Sequence, residues 1–176
     1  MKSYVLAALV ACAPFSASAE TFGEVFIAQT KLNSLGLDVG KPDGRMGPVT
    51  RKALKAAAER YGFEPTLGDM FKYFAVDTVK REIKVKDEAI IQAVKDAVGD
   101  GLKDPFSAQY RNFRILPSGR ICGEVNAKNT YGAYVGWTTF ITHGGPLKIG
   151  GSYSRPSVHV DDGETELAAM SCLIDA

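Results

Sequence analysis

The side chains best suited to reactive chemistry are few. His143 and His159 are the only histidines in a chain of 176 residues. A catalytic zinc commonly takes three protein ligands and a water. Cys122, His143, His159 and Cys172 are separated by gaps of 21, 16 and 13 positions, which fit no familiar metal-binding spacing. We therefore expect no metal and no cofactor. A glycosidase needs two carboxyl groups about 5 to 10 Å apart across a cleft. Glu124 reads as a mid-strand residue on the same face as Cys122, a position that suits a cross-strand partner for Lys or Arg. Asp104, Asp161, Asp162 and Glu164 fall in turn or cap contexts, where carboxylates stabilise helix starts. No phosphate-binding glycine loop and no serine nucleophile elbow is present. These residue types point away from catalysis.

One stretch has the composition of a built loop: Asp43-Gly44-Arg45-Met46-Gly47-Pro48-Val49-Thr50. Two readings of it stand side by side. In the architectural reading, Gly44 and Gly47 supply positive φ, and the Asp43 carboxylate accepts from backbone amides ahead of it. Thr50 then bonds amides in the first turn of the next helix. In the functional reading, Asp43, Gly44, Arg45, Gly47 and Thr50 contact a ligand beside a groove between helices. Arg45 is either an ordinary solvated side chain or a bidentate donor to a carboxylate. Asp38 and Asp43 lack the regular acidic spacing of a calcium loop.

The flanking elements give this loop its meaning. Val25, Ala28, Leu32 and Leu35 mark one face of a helix, and Gly36 sits where a left-handed stop belongs. Pro48 suits a first helical position; Ala53, Leu54, Ala57, Ala58 and Tyr61 form the next stripe, closed by Gly62. After the breaker Glu64-Pro65-Thr66-Leu67-Gly68, Asp69 to Ile83 reads as another helix with Met70, Phe71, Phe74, Val79 and Ile83 as its apolar members, and Asp69 to Arg81 takes the place of a third packing helix. The run Ala28-Gln29-Thr30-Lys31-Leu32-Asn33-Ser34-Leu35-Gly36-Leu37, followed by Asp43-Gly44-Arg45-Met46-Gly47-Pro48-Val49-Thr50-Arg51-Lys52-Ala53-Leu54, resembles the peptidoglycan-binding domain 1 family of small helical wall-binding modules. The resemblance covers about Val25 to Gly62. It implies a three-helix module, peptidoglycan as partner, and a ligand groove beside the Asp43–Thr50 loop.

From Asp87 the chain changes character. Ala89, Ile90, Ala93, Val94, Ala97 and Val98 keep helical spacing up to Gly99-Asp100-Gly101. The period then switches towards two, predicting strands over Tyr110–Leu116, Arg120–Asn126, Ala133–Thr142, Leu147–Ile149 and Ser157–Val160. Glu164 to Ile174 closes the chain as a helix. In the aromatic run, Trp137 is expected in the core with Val135 and Ile141. Tyr131 and Tyr134 are expected at the surface, near Asn126, Lys128 and Asn129. The segments Leu102–Ala108, Cys122–Asn129 and Tyr131–Gly136 resemble a set of small exported bacterial proteins to which no activity attaches.

The amino terminus sets the compartment. Lys2, the apolar run Tyr4–Ala13 and Ala17-Ser18-Ala19 read as a secretory signal peptide cleaved before Glu20. Leu9-Val10-Ala11-Cys12 offers the alternative of lipidation at Cys12. No second apolar run is long enough to span a membrane. Residues 1–19 carry one Lys and no acid, so removing them takes the formal charge from +1 to 0. That balance gives no basic stripe for nucleic acid. Cleavage leaves Cys122 and Cys172, which in an oxidising compartment read as a disulfide.

The expected organisation is a signal peptide (1–19), a helical domain (20–82) and an α+β domain (83–176). That is a small three-helix module followed by an antiparallel sheet with flanking helices. The expected role is non-catalytic peptidoglycan binding in the periplasm or outside the cell. The alternatives are a cryptic cell-wall turnover enzyme centred on Glu124, or a module that binds an envelope protein.

Overall fold

A computed structural model describes residues 20–149, 151–162 and 166–176. The expected signal peptide, Cys12 and the expected helix start at Glu164 lie outside the described residues. The amino-terminal part comprises α1 (Phe22–Ser34), α2 (Pro48–Tyr61) and α3 (Leu67–Arg81). Each boundary has a local cause. Thr21 and Glu24 form a reciprocal capping box at the start of α1. Pro48 occupies the first position of α2, and Gly62 ends it in the left-handed conformation at φ 79°. Thr66 accepts from the amide of Asp69 to start α3.

The second part begins with β1 (Ile83–Lys84) and α4 (Glu88–Gly99). A 3-10 turn at Pro105–Ser107 then leads into β2 (Gln109–Ile115), β3 (Ile121–Lys128) and β4 (Tyr134–Thr142). After a short hairpin of β5 (Lys148–Ile149) and β6 (Ser152–Tyr153) come β7 (Val158–Val160) and α5 (Leu167–Ile174). The main sheet has the order β1-β2-β3-β4-β7, with every pairing antiparallel. The expected fold class holds: a helical module, then an antiparallel sheet with flanking helices.

Helix α4 covers one face of the sheet. Its Val94 and Val98 pack with Phe113, Ile121, Val125 and Phe140. Gly123 lies opposite Phe140 in the ladder, and a Cβ there would fall 2.4 Å from the ring, so the glycine makes room for it. Helix α5 lies on the other face, where Ala168 and Cys172 meet Leu116, Cys122 and Ile141. The Cys122–Cys172 disulfide joins sheet and helix, as the cysteine count led us to expect.

Helix α5 also reaches back to the amino-terminal module. Ile174 and Ala176 are buried in the same cluster as Val25, Ala28, Leu32, Leu54, Met70 and Phe74. Lys31 Nζ donates to the carbonyl of Asp175 at 2.9 Å and sits 4.8 Å from the centroid of the Phe74 ring. Burial holds the Lys31 ammonium below its usual pKa, partly offset by Asp175. The residues of α1 are therefore buried well beyond the single stripe Val25–Ala28–Leu32, with Ile27 and Lys31 covered as well.

Two expectations about burial fail. Val79 is 63% exposed because the inner face of α3 is instead Leu67, Met70, Phe74 and Thr78, and Ile83 is 65% exposed because α3 ends at Arg81 and places it in the edge strand β1. Trp137 and Val135 are 39% and 63% exposed rather than in the core. The ladder shifts register between Asn126 and Lys128, and Gly136 sits at φ 100°, so strict alternation breaks there. On that face α5 packs over the Cys122–Ile141 end, and Trp137 lies beyond it. The Arg111 guanidinium covers the indole instead, 4.0 Å from the ring centroid.

Candidate functional site

The loop joining α1 to α2 spans residues 35–47 and has no helix or strand of its own. Its backbone polar groups need partners. Two side chains one turn apart on α1 supply many of them. Asn33 donates to the carbonyl of Gly40 at 2.8 Å and accepts from the amide of Val39 at 2.9 Å. Gln29, only 2% exposed, is the second anchor. Its Oε1 accepts from the amides of Asp43 and Gly44, both at 2.9 Å. Its Nε2 lies 2.8 Å from Asp43 Oδ1, 3.2 Å from the Arg45 carbonyl and 3.1 Å from Thr50 Oγ1.

This arrangement decides several roles. Asp43 Oδ1 also accepts from the Arg45 amide at 3.0 Å, the forward bond expected of it. The hydrogen bond from Gln29, then that from the Arg45 amide, holds the Asp43 carboxyl below its ordinary pKa, so it stays ionised. Gly44 is left-handed at φ 69°, as expected, and the Phe22 ring lies over it where a Cβ would stand. Gly47 is a correction. Its φ is −85° and its ψ 175°, extended backbone that any residue adopts, and nothing lies within 4 Å of a Cβ placed there. It is the unassisted N-cap of α2, not a positive-φ position. Thr50 is buried and bonds Gln29 across to α1, in place of the expected bond within its own helix. Arg45 is exposed, and among the described residues its guanidinium makes no hydrogen bond or ion pair.

The loop thus presents two exposed cationic side chains, Lys41 and Arg45, without a hydrogen bond or ion pair among the described residues, on a frame bonded to Gln29 and Asn33. Gln29 and Asn33 stood in the quoted family-like run without a role. Polar residues at i and i+4 beside an apolar stripe, ahead of a long Gly/Asp loop, were the available signal.

Glu124, on which the enzyme alternative centres, is engaged by its neighbours in the sheet. Arg111 Nε donates to Glu124 at 2.7 Å, and Asn112 donates to the same carboxylate. These bonds, Arg111's first, hold the Glu124 carboxyl below its usual pKa, unlike the raised value a general acid needs. Its role is the cross-strand ion pair expected from sequence. Asp161 accepts from the amides of Ala168 and Ala169 and caps α5 from outside the helix; Asp104 caps the 3-10 turn. The disulfide removes both thiolates from any imagined zinc set, and no other metal-holding group of three exists among the described residues. Tyr131 is 93% and Tyr134 44% exposed, surface positions as expected.

Residues 23–68 match a family model described as "Putative peptidoglycan binding domain", a span containing all but the first residue of α1, the whole loop and α2. The chain thus carries a peptidoglycan-binding domain over that span, followed in sequence by α4, the antiparallel sheet and α5. No curated protein and no solved structure matches the chain.

Proposed function

We propose that this protein is a non-catalytic wall-binding protein of the bacterial envelope, whose helical module holds the sheet domain at peptidoglycan. The observation that carries the reading is the match over residues 23–68, coupled to a loop whose frame is satisfied from within and whose Arg45 is left unengaged. An exposed guanidinium on a rigid support suits bidentate capture of a carboxylate, a group in which peptidoglycan peptides are rich. The disulfide fits an extracytoplasmic compartment, and no helix among the described residues is long and apolar enough to cross a membrane.

The test is co-sedimentation of the protein, lacking residues 1–19, with purified sacculi, together with an assay of the supernatant for soluble fragments. Binding without release is the expected result, and Arg45→Ala should weaken binding while the thermal transition stays put. If muropeptides appear and Glu124→Gln abolishes them, the protein is an enzyme. If sacculi are ignored altogether, the module serves a protein partner instead.

A further inference from the structure

A second cleft lies away from the loop. It has a volume of about 420 Å³ and runs from the α2–α3 turn along the outer side of α3, with Phe63, Tyr73 and Val76 in its wall. It opens at the C-terminal end of α2, whose fourteen residues place that end about 20 Å from Gly47. Helical spacing puts Lys72, Val76 and Lys80 on one face of α3, with the two lysines about 12 Å apart. Tyr73 and Val76 are 38% and 50% exposed between them, an apolar strip left open to solvent.

The charges around this strip are unequal in their commitments. Asp69 accepts from the Thr66 hydroxyl, and Asp77 pairs with Arg81 at 2.9 Å. Lys72 and Lys80 have no hydrogen bond or ion pair among the described residues. Glu64 is exposed at the mouth and likewise unpaired. The cleft therefore offers two ammonium groups without ion-pair partners flanking an apolar strip, with the unpaired carboxylate of Glu64 at its end and that of Asp69 held by the Thr66 hydroxyl.

We propose that this cleft seats the peptide stem of peptidoglycan, a deepening that rests on the wall-binding reading. A stem peptide is an extended chain with carboxylates spaced along an aliphatic backbone and, where it carries a diamino acid, a free ammonium. Lys72 and Lys80 each take a carboxylate, Tyr73 and Val76 cover the aliphatic part, and Glu64 receives the ammonium. The glycan stays outside. Most of these residues lie beyond position 68, so the cleft is a feature of this chain past the matched span.

The experiment titrates the protein lacking residues 1–19 with two soluble probes, a disaccharide carrying its tripeptide and the same disaccharide stripped of peptide. Amide resonances, a pelleting assay on sacculi and the Lys72→Glu/Lys80→Glu variant complete it. The expected result is binding of the peptide-bearing probe alone, with shifts over Asp69–Lys80. The double variant, folded as before because neither lysine has an internal partner, should bind at least about tenfold more weakly. The inference is overturned, and wall binding kept, by any of three results on protein that pellets with sacculi. These are equal binding of both probes or of neither, shifts confined to Asp43–Thr50, and undiminished binding by the variant. If neither probes nor sacculi bind, the wall-binding reading fails and the stem-peptide site with it.

Discussion

Gln29 and Asp43, fourteen positions apart, are joined through both side chains and one backbone amide. The glutamine amide nitrogen donates to the aspartate carboxylate at 2.8 Å, while its oxygen accepts from the Asp43 N–H at 2.9 Å. The bond to Asp43 is thus made twice over, and the Gly44 amide shares the same oxygen at 2.9 Å. Replacing Gln29 with Ala strands two amides and Thr50 beneath the loop. A buried donor left without a partner costs about 1 to 3 kcal/mol. Gln29→Ala should therefore destabilise the protein by about 2 to 4 kcal/mol in urea titration and weaken binding to sacculi.

The two loop glycines should respond in opposite ways. Gly44→Ala forces a side chain into the left-handed region and against the Phe22 ring. The backbone contribution alone is about 1 to 2 kcal/mol. Gly47→Ser puts a hydroxyl at an N-cap that has no side-chain hydrogen bond, on backbone already extended. It should be neutral or stabilise by a few tenths of a kcal/mol. Thermal melts of the two variants side by side check the contrast.

Reduction of Cys122–Cys172 should release α5 from the sheet. The bridge closes a loop of 50 positions, worth about 4 kcal/mol in the chain-entropy model. Cys122→Ser with Cys172→Ser should lower the urea midpoint by a matching amount. Hydrogen exchange should accelerate in α5 and also in α1, because Ile174 and Ala176 belong to the helical module's core.

Asp175 predicts an acid limb. Burial pushes its carboxyl up, but hydrogen bonds from Ser118 and Arg120 outweigh it and leave the pKa below its ordinary value of 3.8. The unfolded chain then binds the proton more readily than the folded one. The stabilisation is present above about pH 4 and is lost as pH falls through the folded value. Asp175 sits at φ 52°, a conformation Asn also tolerates, so Asp175→Asn removes the charge with little backbone penalty. It should cost about 1 to 2 kcal/mol at neutral pH and flatten the stability profile below pH 4.

Much of the architecture was legible because it is local. Pro48, Gly36 and Gly62 stand where helix rules put them, and period-two patterning placed β2, β3 and β4 within a residue or two. What escaped depends on partners distant in sequence. Trp137 looked like core because it shares the face of Ile141, but α5 covers only the Cys122–Ile141 end of that face and leaves the indole beyond it. Val79 continued an apolar pattern on α3, yet the inner face of that helix is filled by Leu67, Met70 and Phe74; Ile83 lies past the helix end, in β1. In the loop, Asp43 and Gly44 were readable from turn chemistry. Gln29 was legible only through its i, i+4 spacing from Asn33; which loop groups it would bond depends on a fold-back that no local pattern specifies.

The Lys31–Asp175 contact spans 144 positions. A chain made at about 5 to 20 residues per second would wait about 7 to 29 s between producing α1 and producing the segment that seals it. Through that interval Ile27, Leu32, Met70 and Phe74 have no complete cover. Closure of the helical core is thereby tied to delivery of α5, and until that helix arrives the face of α1 and α3 that it covers stays open to holding chaperones.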